Sequence, residues 1–339
     1  MQELEKFNVV IAEPNDGMDD TFQILKDLGC HVFVGPPVSC ADQVYSEDQL
    51  VELCRDADVF LGMSRETVTR RVLENSKHLR AVCKYGTGVN NIDVDAASEL
   101  GIIVANAPVH NLTVAEYTIA SMLSLLRKIP RNVNYLRNGG WRDPSTTGNE
   151  LYQKTIGILG FGRIGKQVAK RLMGWDVNLL TYDPVVPREE AALFGAKMVT
   201  WDELFAQSDM VTVHLPLIKE TEGIIGQREF DLMKPDALLI NDARGALIDQ
   251  EALLRTLTEH RIAGAAIDVF PTEGLDPDYP LLHMDNVILT PHTAGYTHES
   301  LRRIAEQATL NCLAALRGEV PEFVFNRAVI PAWKARFGK

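Results

Sequence analysis

The stretch GILGFGRIG, residues 157–165, decides the fold of this chain. It contains Gly160-x-Gly162-x-x-Gly165, with the strand-like run TIGIL before it and the helix-like run RIGKQVAKRLMG after it. In a strand–turn–helix unit the first glycine permits a tight turn, the second lets a pyrophosphate approach the backbone, and the third lets helix and strand pack closely. The stretch therefore predicts a βαβ unit that binds a dinucleotide at a helix N-terminus.

An acidic residue ends the next strand-like run, VNLLTYDP. Asp183 lies 18 residues after Gly165, near the spacing of ~20 at which a carboxylate accepts a hydrogen bond from the 2′-hydroxyl of a ribose. Because a carboxylate repels a 2′-phosphate, the pattern favours NAD over NADP. The alternative interpretation is an ordinary glycine turn beside a surface aspartate.

The glycine motif stands unusually far into the chain, and the residues before it have a repeating pattern of their own. Short apolar runs alternate with segments of helical period in both halves, which predicts parallel sheets covered on both faces. The strand-like runs of the first half are NVVIAEP, HVFVGPP, DVFLGMS, LRAVCKYG and GIIVANAP, and those from residue 154 onward are KTIGILG, VNLLTYDP, KMVT, DMVTVHLP, ALLINDAR, AGAAIDVF and NVILTPH. We therefore expect an α/β protein with two doubly wound parallel-sheet domains.

Two long segments connect or follow these halves. TVAEYTIASMLSLLRKIPRNVNYLRNGG predicts a helix interrupted near Pro130, and its apolar residues are too many for one stripe. Such a helix is expected to be buried on two sides, between domains or between subunits. ESLRRIAEQATLNCLAALRG predicts an amphipathic helix that ends at Gly318 and returns to the first half.

Composition excludes several classes of partner. The 339 residues suggest two domains, and a formal net charge of -12 argues against binding to nucleic acid or to an anionic membrane. The start of the sequence lacks the pattern of a signal peptide, and its apolar runs are shorter than the ~20 residues of a membrane span. Five cysteines without a CxxC pair predict reduced thiols in a cytoplasmic protein, with no metal site.

Polar side chains follow the later strands. Arg244 follows ALLIN, Asp268 ends GAAID, and His292 follows NVILTP, with Glu273 in the loop PTEGLDPDYP between them. Each alone could be a surface ion-pair residue or a turn histidine. Together, after a dinucleotide cradle, they fit hydride transfer to a 2-oxo acid. Arginine holds the carboxylate and polarises the carbonyl, histidine carries the proton, and a carboxylate stabilises the charged imidazole.

The chain resembles the D-2-hydroxyacid dehydrogenase family, which includes phosphoglycerate, glycerate, D-lactate, formate and phosphite dehydrogenases. The resemblance spans most of the chain, through KYGTGVNNID, NAP followed by VAEYT, GGW, TIGILGFGRIG, YDP, VHLPL, INDARG, IDVF and TPHTAG. It implies a Rossmann NAD-binding domain over 108–296, inserted in a flavodoxin-like substrate domain over 1–107 and 297–339. It further implies a homodimer formed by the NAD-binding domains, with residues 114–138 as the dimer helix.

The resemblance also assigns roles to single residues. Arg244, Glu273 and His292 are the implied catalytic residues. Implied contacts with NAD come from Thr87, Gly160, Gly162, Arg163, Ile164, Gly165, Asp183, Leu215, Asp242, Ala243, Arg244, Asp268, His292 and Gly295. Implied substrate contacts come from Ser64, Gly86, Gly88, Val89, Arg244 and His292, with backbone N–H groups of the glycine turn on the substrate carboxylate.

This sequence departs from the family pattern at four places. Asn90 replaces a common aspartate, Gly274 replaces a common proline, and Asp242 puts an acid where a small neutral residue is usual. If Asp242 points into the cleft, it weakens the binding of a highly anionic substrate. Phosphoglycerate enzymes have an arginine before the loop serine, whereas this chain has Met63 there and Arg65 one position after Ser64.

The leading hypothesis is therefore an NAD-dependent D-2-hydroxyacid dehydrogenase that acts on a small 2-hydroxy or 2-oxo acid. One alternative is a dinucleotide-sensing interaction protein, like the corepressors that share this fold. Another is a dehydrogenase of an unusual substrate such as formate or phosphite. The glutamate in the implied trio argues against formate, because that variant of the family lacks it.

Overall fold

The computed structural model describes residues 4–40, 43–63, 65–272 and 274–338. Contacts between Cα atoms divide the described chain into two compact units. Unit 1 comprises the described residues of Met1–His110 and Thr297–Lys339, and unit 2 comprises those of Asn111–Tyr296. The first unit is therefore built from two separate pieces of sequence, and the second is one continuous insertion between them.

Unit 1 has a five-stranded sheet in the order β2-β1-β3-β4-β5. Every pair in it is parallel, and Val10 of the first strand lies between Phe33 and Phe60. The strands are β1 (Asn8–Ile11), β2 (His31–Val34), β3 (Val59–Gly62), β4 (Ala81–Lys84) and β5 (Ile103–Ala105). The edge strand β2 alternates in burial, whereas β3 and β4 are buried at every position because helices cover both faces.

The helices of unit 1 lie on both faces of this sheet. They are α1 (Gln23–Asp27), α2 (Glu47–Cys54), α3 (Arg70–Asn75), α4 (Val94–Glu99), α12 (His298–Leu316) and α13 (Ile330–Phe337). The stretch MDDTFQILKDLG, residues 18–29, has the apolar period of a helix, but it begins as a 3-10 turn, Asp19–Phe22, before α1. Helix α12 ends at Leu316 with Arg317 as its C-cap residue, and Gly318 follows with a left-handed φ of 77°, the usual termination by glycine.

The second piece of unit 1 completes its core. Trp333 of α13 is fully buried, and its indole Nε1 donates to the carbonyl of Arg80 at 2.7 Å. The edge strand β5 is covered by the segment around Val324, which pairs with Ala105 in an antiparallel bridge. The Asn326 side chain accepts a hydrogen bond from the backbone N–H of Val104 at 2.8 Å. These contacts satisfy backbone groups that an open edge would expose.

Unit 2 has a seven-stranded parallel sheet in the order β12-β11-β10-β9-β6-β7-β8. The strands are β6 (Thr155–Leu159), β7 (Asn178–Tyr182), β8 (Ala196–Met198), β9 (Met210–Val213), β10 (Leu238–Asn241), β11 (Gly264–Ile267) and β12 (Val287–Leu289). The chain runs outward from β6 to one edge, returns beside β6 as β9, and then runs to the other edge. This reversal between β6 and β9 is the topological switch point of a Rossmann sheet.

The helices of unit 2 cover both faces of its sheet. They are α5 (Asn111–Leu126), α6 (Ile129–Arg137), α7 (Arg163–Leu172), α8 (Arg188–Ala192), α9 (Trp201–Gln207), α10 (Gln227–Leu232) and α11 (Gln250–Thr258). The expected interruption near Pro130 falls at Lys128, whose φ of 52° is left-handed. Pro130 then stands in the first turn of α6, where its missing N–H costs no helical hydrogen bond.

The expected fold class, α/β with two doubly wound parallel sheets and the Rossmann unit inserted in the flavodoxin-like one, is confirmed. Strand order in unit 1 is that of flavodoxin-like sheets, and strand order in unit 2 is that of Rossmann sheets with one further strand. In the described part of the chain, none of the helices has the length and hydropathy to cross a bilayer. All five cysteines are free thiols, and four of them are buried.

Candidate cofactor and active site

Most of the residues that the sequence implicates in unit 2 lie at one edge of its sheet. The glycine motif follows β6, Asp183 follows β7, and the remaining ones follow β9 to β12 in order, namely Leu215, Asp242, Ala243, Arg244, Asp268, His292 and Gly295. Because all seven strands are parallel, their carboxyl ends meet at this edge. Ligands of open α/β sheets bind there, beside the switch point.

The glycine motif is a closely packed turn. Gly160 has a left-handed φ of 91°, and a Cβ on it would lie 2.8 Å from the carbonyl carbon of His214. A Cβ on Gly165 would lie 2.3 Å from the carbonyl oxygen of Gly160. Gly162 differs, because a Cβ there would meet no atom within 4 Å. Two of the glycines are therefore required by the fold itself, and the third leaves open space above the backbone.

That open space lies at the N-terminus of α7. Gly162 is the N-cap residue and offers no side-chain hydrogen bond, whereas α9 and α11 are capped by Thr200 and Asp249. The first N–H groups of a helix have no partner within the helix and carry a partial positive charge. Helix N-terminal N–H groups beside a glycine without a side chain fit a pyrophosphate, so the cradle fits NAD.

Asp183 borders this cradle. Its Oδ2 accepts a hydrogen bond from the backbone N–H of Phe161 at 2.8 Å, and its Oδ1 accepts from the N–H groups of Val185 and Val186. These three donors hold the carboxylate beside the glycine turn. Each oxygen has more than one lone pair, so the carboxylate retains acceptor capacity for a ribose hydroxyl.

The turn after β10 is shaped by Asn241. Its buried side chain accepts a hydrogen bond from the N–H of Ala243 at 3.1 Å and donates one to the carbonyl of Arg244 at 2.9 Å. Arg244 is half-buried, and its guanidinium donates to the carbonyl of Ala243 at 2.6 Å. The backbone at Arg244 is thus held by a neighbouring amide, which restricts where its side chain can reach.

The loop that carries His292 is held by Asp268. Its Oδ1 accepts from the hydroxyl of Thr290 at 2.6 Å and the N–H of Thr293 at 2.9 Å, and its Oδ2 accepts from the N–H of Ala294 at 2.8 Å. The carbonyl of Asp268 also accepts from the N–H of His292 at 2.7 Å. His292 is exposed and has a left-handed φ of 55°. A buried carboxylate therefore presents an exposed imidazole at the edge of the sheet.

Asp242 does not face the same way as its neighbours. Its side chain is 7% exposed, and its Oδ2 lies 2.8 Å from the hydroxyl oxygen of Thr118 on α5. Burial raises the pKa of Asp242 to about 7, and the nearby charge of Asp268 adds to this effect. The side chain is directed at a buried helix rather than at solvent.

Three residues at this edge had no assigned role from the sequence. Asn241 shapes the Arg244 turn, Thr118 contacts Asp242, and Tyr117 lies near the side chains of Thr290 and Thr293. Burial raises the pKa of Tyr117, so its hydroxyl remains neutral. The available signal was the pair of adjacent hydroxyl residues, Tyr117 and Thr118, within the run of α5.

The residues assigned to the substrate in unit 1 form one turn after β4. Gly86 has a left-handed φ of 89°, Thr87 is exposed, and Gly88 and Val89 follow. The hydroxyl of Thr87 lies 3.3 Å from Nε2 of His110. Ser64 and Glu273, which the sequence also implicates, lie outside the described residues.

Arg65 is held inside unit 1. Its Nε donates to the buried carboxylate of Glu13 at 2.7 Å, and its terminal nitrogens donate to the carbonyls of Cys40 at 2.6 Å and Pro37 at 3.2 Å. Burial raises the pKa of the adjacent Glu66 to about 7, with Glu13 contributing to the shift. The guanidinium is therefore committed to partners within the unit.

A cavity of about 820 Å³ lies at the opposite edge of the unit 2 sheet. Lys154, Asp209, Ala263 and Asn286 line it, and each of them immediately precedes a strand. The carboxyl-end residues described above are not among those that line it. The volume of this cavity thus does not mark the cofactor cradle, which is an open surface around a helix N-terminus.

The close packing of the glycine motif predicts different effects for two alanine substitutions. Gly165→Ala should lower the melting temperature without any ligand, because its Cβ meets the carbonyl of Gly160. Gly162→Ala should keep the melting temperature and weaken NADH binding, because its Cβ enters only the space left for phosphate. Thermal unfolding and NADH fluorescence titration measure the two effects. Unchanged NADH affinity in Gly162→Ala would show that the pyrophosphate binds elsewhere.

Comparison with known proteins is consistent with this geometry. Residues 119–294 match the family described as D-isomer specific 2-hydroxyacid dehydrogenase, NAD binding domain. A D-3-phosphoglycerate dehydrogenase of Methanocaldococcus jannaschii is 41% identical over 93% of this chain, and the match covers 59% of that protein. The chain thus spans about three fifths of the length of this relative.

Two further relatives match over nearly their full length. A glyoxylate reductase of Korarchaeum cryptofilum is 36% identical over 84% of this chain and 87% of its own. The crystal structure of a glyoxylate reductase from Paecilomyes thermophila superposes with a TM-score of 0.85 at 28% identity, covering 95% of this chain and 99% of that one. The chain belongs to the D-isomer specific 2-hydroxyacid dehydrogenase family, and unit 2 is its NAD-binding domain.

Proposed function

We propose that this protein is an NAD-dependent dehydrogenase that interconverts a D-2-hydroxy acid and the corresponding 2-oxo acid. The observation that carries the proposal is the arrangement at the carboxyl edge of unit 2. An arginine on a turn held by Asn241 and a histidine on a loop held by Asp268 follow strands on either side of β11, in the sheet that also forms the cradle. Membership of the family supports the same reaction.

NAD supplies a carbon that accepts hydride from the hydroxy acid or, when reduced, gives it to the oxo acid. Arg244 binds the substrate carboxylate through its planar set of donors and polarises the C2 carbonyl. During reduction His292 donates a proton to the C2 oxygen, and during oxidation it removes the proton from the C2 hydroxyl. We assign to Glu273 the role of stabilising the charged imidazole and fixing its ring.

Other residues of the two units bind rather than react. Asp183 accepts from the ribose of NAD, and the N–H groups at Gly162, Arg163 and Ile164 receive the pyrophosphate. The remaining acceptor capacity of Asp268 Oδ2 suits the carboxamide of the nicotinamide. In unit 1 the backbone turn Gly86–Val89 is assigned to the substrate carboxylate.

The state of Arg65 favours a substrate without a phosphate group. Its guanidinium already donates to Glu13, Pro37 and Cys40, and Met63 occupies the position where phosphoglycerate enzymes have an arginine. A dianionic group would have to displace a buried ion pair to recruit this cation, which costs several kcal/mol. We therefore place the substrate among small unphosphorylated 2-oxo acids of the glyoxylate type.

Replacing His292 should abolish proton transfer without preventing cofactor binding. His292→Asn is the suitable variant, because asparagine tolerates the left-handed backbone at this position. We expect kcat for glyoxylate reduction to fall by about 10² or more, with the Kd of NADH unchanged in fluorescence titration. His260→Asn is the matched control, since His260 is exposed, has φ of 53° and precedes β11 at the other edge. Near-normal turnover in His292→Asn refutes the assigned role.

Replacing Arg244 should act mainly on substrate affinity. Arg244→Lys keeps the charge but loses the planar pair of donors, so KM for the oxo acid should rise by about tenfold or more, as expected for a lost charge-assisted hydrogen bond. Steady-state assays with varied oxo acid and fixed NADH measure this. Arg255→Lys, on the exposed face of α11, is the control. An unchanged KM in Arg244→Lys would remove Arg244 from the substrate site.

We also infer that the protein forms a homodimer through the α5–α6 region. None of the residues of α6 is buried, yet this helix exposes Ile129, Val133 and Leu136, with exposed fractions of 48%, 40% and 58%. Trp141 follows and is 78% exposed. A row of large apolar side chains on one short helix is a typical protein-binding patch, and a second copy of the chain is the partner expected from the family.

Charges placed on α6 should separate the subunits. Val133→Glu combined with Leu136→Glu should convert the dimer to a monomer, because an unpaired carboxylate cannot be buried in an apolar interface. Size-exclusion chromatography with light scattering reports the mass. Leu193→Glu, at an exposed position at the end of α8, is the control and should stay dimeric. A monomeric wild-type protein would contradict the proposal.

A further inference from the structure

Asp242 and Thr118 join two elements of unit 2 that are far apart in sequence. Asp242 follows β10, the strand that leads to Arg244, and Thr118 lies near the middle of α5. The hydroxyl oxygen of Thr118 is 2.8 Å from Asp242 Oδ2 and 2.9 Å from the carbonyl oxygen of Val114. Thr118 is completely buried, and Asp242 nearly so.

The number of protons available to the Thr118 hydroxyl and its two neighbouring oxygens indicates the charge state of the Asp242 carboxyl group. A threonine hydroxyl has one proton and can donate only one hydrogen bond. If Asp242 is ionised, this hydroxyl has one proton for two short contacts, because the carbonyl of Val114, which also accepts the helical N–H bond of α5, and the carboxylate are both acceptors. If Asp242 is protonated, it donates to the threonine oxygen, and the threonine donates to Val114. Only the neutral acid supplies a proton for each of the two short contacts.

The second carboxyl oxygen points to the same conclusion. Among the described residues, no donor lies within hydrogen-bonding distance of Asp242 Oδ1, although this atom is buried. An ionised carboxylate with a buried, unsatisfied oxygen is costly. Asp268, at the end of the adjacent strand, instead receives three hydrogen bonds from the loop at residues 290–294. The two aspartates thus have different surroundings, one built for an anion and one for a neutral acid.

Within the described part of the chain, the charged and titratable groups on the elements around Asp242 supply no cation that lowers its pKa. Tyr117 on α5 is a neutral phenol, and Asp268 after β11 is an acid that repels a second negative charge. His214 after β9 stays neutral, because burial lowers its pKa to about 3. Arg244, on the same turn, directs its guanidinium to the carbonyl of Ala243.

We propose that Asp242 is a positioning residue, a neutral carboxylic acid whose proton ties the Arg244 turn to α5, so that substrate affinity falls when this proton is lost. The proposal rests on the assignment of Arg244 to the substrate. Ionisation would leave the Thr118 hydroxyl with two acceptors and place a second negative charge beside Asp268. The expected response is a shift of the strand end away from α5, which moves Arg244 and raises KM.

Because the pKa of Asp242 is higher in the folded than in the unfolded protein, its contribution to stability decreases as the pH rises. The pKa of Asp242 is near 7 in the folded protein and about 3.9 in an unfolded chain. The folded state therefore holds a proton that the unfolded state releases between about pH 4 and pH 7, and this contribution to stability is lost as the pH rises through that range. An asparagine at position 242 keeps a donor for Thr118 and cannot ionise.

The first test needs no substrate. In infrared spectra at pH 6, wild-type protein should show the carbonyl stretch of protonated carboxyl groups, and Asp242→Asn should lose the part of this band that belongs to Asp242 and keep the part that belongs to Glu66. The melting temperature of Asp242→Asn relative to wild type should rise by several degrees between pH 4 and pH 7 and then level off. Asp236→Asn, at the exposed amino edge of β10, is the control and should give a constant difference. An identical carboxyl band in wild type and Asp242→Asn, or a pH-independent difference in melting temperature for Asp242→Asn, overturns the proposal.

The second test addresses positioning. The wild-type KM for glyoxylate should rise several-fold from pH 6 to pH 8.5, beyond any rise seen in Asp242→Asn. Thr118→Ser should behave like wild type, and Thr118→Val should raise KM already at pH 6. Equal KM profiles in wild type and Asp242→Asn refute the positioning role. If the infrared and melting experiments give the expected results but no 2-oxo acid is reduced, the proposed reaction is wrong. The neutral state of Asp242 is then supported independently of that reaction.

Discussion

The carbonyl oxygen of Gly160 and the α-carbon of Gly165 approach each other so closely that no side chain fits between them. This contact brings the first turn of α7 against the end of β6, at the point where the sheet reverses direction. It fixes the direction of the helix and leaves its first N–H groups facing outward. The binding surface of unit 2 is organised around that contact, because the other strands end beside it at the same edge.

Asp242 and Asp268 follow neighbouring strands, and their different surroundings give these identical side chains different roles. Asp268 receives hydrogen bonds from a hydroxyl and from two backbone N–H groups, so its charge is compensated and its loop is rigid. Asp242 faces one hydroxyl and apolar surroundings, and burial raises its pKa. The first arrangement holds the loop that carries His292 in place. The second arrangement connects the Arg244 turn to α5 through a hydrogen bond that depends on the proton of Asp242.

Much of the fold could be predicted from local patterns. Short apolar runs located all twelve strands of the two sheets, because the central strands of a parallel sheet covered on both faces are apolar throughout. The site could be predicted to the level of strand ends, because the carboxyl edge of an open parallel sheet is where ligands bind and polar side chains collect. Local patterns failed at the 3-10 turn Asp19–Phe22, where a helical period continues through a different backbone geometry.

The direction of single side chains could not be predicted. Asp242 meets a residue 124 positions away, and Arg65 meets one 52 positions away. The sequence left open whether Asp242 faces the cleft and where the Arg65 side chain points, whereas the structure shows both side chains bound to internal partners. No periodicity encodes such contacts, since they depend on how α5 lies on the sheet and on how the loops after β1 and β3 meet.

The division of unit 1 into two pieces has a consequence for how the protein is made. During synthesis β5 emerges early, but the segment that pairs with its edge, and the tryptophan that fills the adjacent core, follow only after the whole of unit 2. Domains generally fold as units as they leave the ribosome. Unit 2 can therefore fold to completion while unit 1 is still an open half-core with an unpaired edge, and this intermediate is where chaperone binding or aggregation would compete with folding.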